Sequence, residues 1–176
     1  METNHLPKYG QSNNETGCCP RFDPAPWEGQ DLHLKDKPFV RATTRSAFHI
    51  PLNMGNVFEA TFKAIKDAGA EEPEFAVLSR ELSPWSAEHL FAVSKPVPGA
   101  ENVKLSGDFV THVFEGPYSD AEKWCKDMEH YAADKGRRVD KLYYFYTTCP
   151  KCAKHYGKNY VVGIAQVSPS AQRAVA

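Results

Sequence analysis

Four of the five cysteines stand in two tight clusters, Cys18 and Cys19 in "GCCPRFDP" and Cys149 and Cys152 in "TTCPKCAKHYG". Two residues between Cys149 and Cys152 let both thiolates reach one tetrahedral metal ion at about 2.3 Å. Cys18 and Cys19 complete the shell if the chain near its start folds back. His155 is the substitute ligand should adjacent cysteines not both turn inward. A closed four-ligand site is structural, since catalytic zinc keeps a position open. The implied cofactor is one structural zinc ion, and no organic cofactor is indicated. The same pair also suits cycling between dithiol and disulfide, with Lys151 and Lys154 favouring the thiolate. Thioredoxin-like enzymes set that motif at the start of a helix, whereas here it reads as a hairpin turn between strands. Metal is therefore expected ahead of redox chemistry and ahead of four unmetallated thiols. Cys125 stands alone and reads as a small core residue.

Composition narrows the remaining choices. A chain of 176 residues suits one domain with a sizeable core. The net charge of -1 gives no reason to expect nucleic acid or an anionic membrane as partner. No stretch approaches the roughly 20 apolar residues of a membrane span. The start, "METNHLPKYGQSNNETG", lacks the apolar centre of a secretion signal, so a cytoplasmic protein with reduced thiols is expected. There is no G-x-S-x-G elbow, phosphate-binding glycine loop or H-E-x-x-H. The pairs Arg137/Arg138 and Lys35/Lys37 are too short for a nucleic-acid patch. Residues 1–38 are too short and proline-rich for a helix-turn-helix module.

The elements that must position these residues follow from periodicity. Residues 1–17 read as a loose tail, 18–38 as an irregular proline-rich arm, 39–167 as the domain and 168–176 as a second loose tail. Trp27 and Phe22 are the arm's expected anchors, and Leu32 and Leu34 alternate as in a short strand. "FVRATTRSAFHI" is a strand candidate. Val57, Phe58, Phe62 and Ile65 then recur at helical spacing before Gly69. "EFAVLSREL" and "EHLFAVSKPV" read as two strands joined by "SPWSA", and "VKLSGDFVTHVFEG" as a third. Ser119 and Glu122 have capping-box spacing ahead of a helix with Trp124, Met128, Tyr131 and Ala132 on one face, stopped by Gly136. "KLYYFYTT" and "NYVVGIAQV" flank the cysteine turn as strands. The order strand–helix–strand–strand occurs twice, which predicts an α+β fold of two such units.

The segment "VFEGPYSDAEKWCKDMEHYAADKG", followed by "YYFYTTCP", resembles the gyrase-inhibitor-like (GyrI-like) small-molecule-binding domains over residues 39–167. Gly116, Pro117, Tyr118, Trp124, Tyr143, Tyr146 and Pro150 match that family's pattern. A stand-alone branch carrying both the CCPRFDP arm and the CPKC turn is commonly labelled hydrolase. The resemblance implies a duplicated fold around an aromatic groove and a role in effector binding, multidrug capture or hydrolysis of cyclopropane-bearing compounds. The family's acidic pocket residue falls at Tyr144, and a phenol with a pKa near 10 supplies no carboxylate charge at neutral pH. Glu81 and Glu115 are the substitute acids, with Tyr144 itself the other catalytic candidate.

Strand alternation puts Tyr144 and Tyr146 on one face, and Tyr143 and Phe145 on the other. Tyr144 and Tyr146 are expected to line the groove, with Tyr118, Trp85 and Trp124 as further walls. Core filling is the competing reading for all of these and the preferred one for Trp124. A groove of this kind takes hydrophobic or aromatic small molecules by stacking. Capture of such molecules for sensing or detoxification is the expected function, ahead of hydrolysis and of redox chemistry at the CPKC pair. His49, His89 and His112 fall on or beside strands, and spacing alone pairs none of them with a nucleophile.

Overall fold

The computed structural model describes residues 2–170. Seven strands, β1 (Asp31–Ala47), β2 (Ile50–Pro51), β3 (Val77–Ser83), β4 (Ser86–Ala92), β5 (Glu101–Glu115), β6 (Arg137–Tyr146) and β7 (Tyr160–Pro169), form one antiparallel sheet. Three helices, α1 (Met54–Asp67), α2 (Ala121–Asp134) and α3 (Pro150–Tyr156), complete the α+β fold. The duplicated pattern is present: β1–α1–β3–β4 is followed by β5–α2–β6–β7, with β2 and α3 inserted.

The sheet closes on itself because β1 has two partners. Phe39–Arg45 pair with β4, and Asp31–Arg41 pair with β5 across a bulge between Leu34 and Lys37. Asp36 takes a left-handed conformation in that bulge, which bends the long strand from one partner toward the other. At the opposite side of the ring, β3 and β6 share a single registered pair, Ser79 with Tyr144. The strand order is therefore circular through β1, β4, β3, β6, β7 and β5.

Strand alternation gives this ring two faces of different chemistry. One collects Phe39, Leu78, Leu90, Phe109, Tyr143 and Phe145, packed with Trp27 and Phe22 from the segment before β1. One edge of this interior is closed by Glu88, which accepts hydrogen bonds from Arg41 at 2.8 Å and Arg80 at 2.7 Å. The other face carries the helices. Trp124, Met128 and Ala132 of α2 cover Val110, Phe114 and Val161, while Ile65 of α1 packs with Val40 and Phe91. Gly163 permits the close approach of α2, since a Cβ there would lie 2.9 Å from the Phe114 ring and 3.2 Å from the Met128 sulfur.

Several local expectations are corrected. The strand expected from Phe39 starts at Asp31, because Leu32 and Leu34 find a partner in β5. Within the expected first tail, Leu6 is buried, the Asn4 amide donates to the His33 carbonyl, and the Tyr9 hydroxyl donates to the Thr147 carbonyl. Ser168 and Pro169 finish β7, while residues 171–176 of the second expected tail lie outside the described residues. No capping box forms. Ser119 is taken into a 3-10 turn over Tyr118–Asp120, Asp120 becomes the residue before α2, and Glu122 pairs with Lys126 instead. Phe62 of α1 is partly exposed and Ile65 is that helix's one buried residue, so α1 is the more lightly seated of the two long helices. Among the described residues, no helix is long and apolar enough to cross a membrane.

Candidate functional site

The Cys-Pro-Lys-Cys segment is not a hairpin turn. Cys149 is the N-cap of α3 in an extended conformation, Pro150 opens the helix, and Gly157 closes it in the left-handed region. Proline at the first helical position has its φ preset and loses no helical hydrogen bond, and glycine accepts the terminal φ of 69° without a Cβ clash. One helical turn therefore brings Cys149 and Cys152 to the same side. This places the motif at a helix start after a strand, the setting that thiol redox enzymes use.

The arm meets this helix with its own pair. Thr16 turns the chain: its hydroxyl oxygen accepts the amide hydrogens of Cys18 and Cys19, each at 3.2 Å. The Tyr156 hydroxyl of α3 donates to the Cys19 carbonyl at 2.7 Å. As a result the Sγ atoms of Cys18, Cys19, Cys149 and Cys152 all lie within 4.8 Å of one another. Cys18 and Cys19 are 3.7 Å apart at sulfur, and Cys18 and Cys149 are 4.0 Å apart. The Cys149 amide points at the Cys19 sulfur at 3.4 Å, and the Thr16 hydroxyl lies 3.2 Å from the Cys152 sulfur. That hydroxyl holds the Cys152 thiol below its ordinary pKa, whereas burial pushes Cys19 up. Four cysteines this close can hold a metal ion. A recess of about 290 Å³ beside them is lined by Thr16, Cys18, Lys151, Cys152 and His155. His155 stands on this rim, 3.4 Å from Glu15, and is not one of the four converging groups. Cys125 is half-buried on α2 and apart from them.

The aromatic residues fall beside this centre. Tyr144 and Tyr146 point to the helix-bearing face of β6, with ring centroids 6.2 Å apart. Tyr146 meets Tyr118 edge-on at 5.6 Å, and Tyr144 meets Trp124 at 6.2 Å. The Tyr118 hydroxyl donates to the Thr148 carbonyl, one residue before Cys149, so this ring and the thiol centre share a backbone segment. Tyr144 donates to the Ala121 carbonyl at 3.1 Å. Burial raises the pKa of all three phenols, which are therefore neutral hydrogen-bond donors at physiological pH. Tyr118 and Tyr146 are 37% and 40% exposed, which leaves their rings open to a ligand.

Two of the expected walls sit elsewhere. Trp124 is buried and stacked on Phe114 at 5.5 Å, so it belongs to the core beneath α2. Trp85 lies at the tip of the β3–β4 hairpin, half-exposed against Phe48 at 4.8 Å. Of the substitute acids, Glu81 is exposed and paired with His49 at 2.8 Å, yet its charge still contributes to raising Tyr146. Glu115 ends β5 opposite Tyr160 and is exposed.

One constellation escaped the sequence reading. Ser79 and Thr44 hold His89 from both sides, with Oγ 2.8 Å from Nδ1 and Oγ1 2.9 Å from Nε2. All three are buried, Phe58 of α1 covers the imidazole, and burial lowers the His89 pKa to about 4. Nothing in the spacing of residues 44, 79 and 89 marks them, because their meeting depends on strand register.

The fold and the paired sites define a curled α+β sheet domain with a thiol centre on its arm. The chain belongs to the bacterial hydrolase family, whose model matches residues 9–167. No curated protein matches it. Among solved structures, a hydrolase from Listeria innocua superposes with a TM-score of 0.58 at 11% identity, covering 81% of this chain and 92% of that one. An uncharacterized conserved protein from Listeria innocua gives 0.57 at 12% identity, covering 80% and 92%. At these identities the likeness is one of fold.

Proposed function

We propose that this protein is a cytoplasmic, GyrI-like binder of hydrophobic or aromatic small molecules, serving detoxification or sensing. The observation that carries this reading is the edge-on pair Tyr118 and Tyr146, exposed on the helix-bearing face and continued inward by Tyr144. Exposed tyrosines held by their neighbours offer stacking area with little side-chain entropy left to lose, and their neutral hydroxyls fix orientation. The absence of a carboxylate at position 144 favours neutral ligands over cations.

Titration of the full chain with a panel of flat aromatic compounds, followed by calorimetry, tests the assignment. Tyr146→Ala is expected to weaken capture about tenfold, or ~1.4 kcal/mol, with the fold retained. Unchanged affinity in that variant sinks the groove assignment.

Hydrolysis is the second reading, favoured by membership of the bacterial hydrolase family. Glu81, whose charge is felt at Tyr146, or a groove phenol would then assist water against an electrophilic or strained-ring compound. Mass spectrometry of cyclopropane-bearing compounds incubated with the protein would detect added water. Intact compounds after saturating binding would leave capture as the whole function.

A further inference from the structure

We infer that Cys18, Cys19, Cys149 and Cys152 bind one zinc(II) ion as a closed, structural tetrathiolate centre, independently of what the tyrosine groove captures.

A tetrahedral ion with sulfur ligands at 2.3 Å requires neighbouring sulfurs about 3.8 Å apart. The sulfur separations of 3.7 Å and 4.0 Å bracket that edge, and no pair among the four exceeds 4.8 Å. All four thiols are free, so no disulfide accounts for the convergence.

Four thiolates around a divalent ion leave two negative charges, which a stable site must offset. The Cys149 amide donates to the Cys19 sulfur, and the Thr16 hydroxyl can donate to the Cys152 sulfur. Lys151 lines the adjoining recess. Hydrogen bonds of this kind orient metal ligands and steady their charge. Soft sulfur donors select zinc over magnesium or calcium, and a shell filled by four protein ligands has no open position for catalysis.

The ion would also fix the segment that precedes the sheet. The chain before β1 has almost no regular structure of its own, yet it delivers Leu6, Phe22 and Trp27 to the main core. Cys18 and Cys149 are 131 residues apart, so a metal joining them closes a long loop and restricts the unfolded chain. The redox alternative uses Cys149 and Cys152 and gives no role to two further thiols pressed against them. The metal reading employs all four.

The test uses the full chain purified anaerobically under reducing conditions without chelator. Metal analysis is expected to give one zinc per chain, with Cys125 alone reacting with a thiol reagent until chelator is added. Cobalt(II) added to the stripped protein should give thiolate-to-metal absorption saturating at one equivalent and abolished by excess zinc. Cys149→Ser should lose that absorption, and Cys125→Ser should keep it. Because Cys149→Ser can fail to fold, the cobalt titration of the unmutated chain stands as the independent readout. Absent or substoichiometric zinc with no cobalt–thiolate band overturns the proposal. So does reversible formation of a Cys149–Cys152 disulfide with Cys18 and Cys19 uninvolved.

Discussion

Ser79 of β3 lies directly opposite Tyr144 of β6, the one registered pair joining those strands among the described residues. The two strands belong to different copies of the strand–helix–strand–strand unit, so this pair marks the seam between the halves. Each member is held from its own half, Ser79 by His89 and Tyr144 by the carbonyl of Ala121. Side chains from both copies thus meet where the backbone ladder is thinnest. Tyr144, the inner member of the tyrosine row with Tyr146 and Tyr118, sits on that seam.

His89 should give the protein a pH-dependent stability. Burial lowers its pKa to about 4 from the ordinary 6.5. Between those values the unfolded chain binds a proton that the folded chain refuses, so stability falls as pH drops through that window and levels off below it. The gap corresponds to roughly 3 kcal/mol. Denaturant unfolding across the window measures the slope, which His89→Gln should flatten. A wild-type profile without slope there would show that His89 titrates normally.

Glu88→Gln should destabilise the fold by about 3 kcal/mol, because it removes the charge that Arg41 and Arg80 share in a buried setting. Burial alone would raise the Glu88 pKa, and the two arginine hydrogen bonds outweigh it, leaving the group below the ordinary 4.5. Its stabilisation is therefore present above that value and lost as pH falls through the lowered pKa, a window more acidic than that of His89. Equal denaturation midpoints for variant and wild type at neutral pH would count against a structural role.

Trp124→Ala should cost about 3–5 kcal/mol, as expected for an aromatic side chain removed from a packed core. Ligand capture should change little once the variant is assayed at a temperature where it is folded. A large loss of affinity with unchanged melting would instead return Trp124 to the groove wall.

Gly163→Ala tests how closely α2 is seated. The added methyl meets the Phe114 ring, which is itself stacked on Trp124 and has little room to yield. A loss of roughly 1–3 kcal/mol is expected from overpacking. Thermal melting that matches wild type would mean that α2 shifts outward at no cost.

Tyr118→Phe keeps the ring and removes the hydroxyl that donates to Thr148 at 2.8 Å. About 1 kcal/mol of stability should go with it. Retained stability would show that the groove wall does not depend on the segment leading into Cys149.

The sequence by itself determined the order of the six long strands and the two long helices. Alternation in "KLYYFYTT" assigns Tyr144 and Tyr146 to one face and Tyr143 and Phe145 to the other, because successive strand residues point oppositely. The paired cysteine clusters likewise announce a thiol centre before any fold is known, and the duplicated pattern foretells the α+β architecture. Tertiary structure alone decided the rest. Whether Ser119 caps a helix depended on a 3-10 turn, whereas the helix start at Cys149 was carried locally by Pro150 and Gly157, a signal that the strand–turn–strand pattern masked. Trp85 and Trp124 are equally aromatic in sequence, yet one ends at a hairpin tip and the other in the core. The meeting of Thr44, Ser79 and His89 needed the register of three strands, and register is a property of pairing between distant segments that no local spacing encodes.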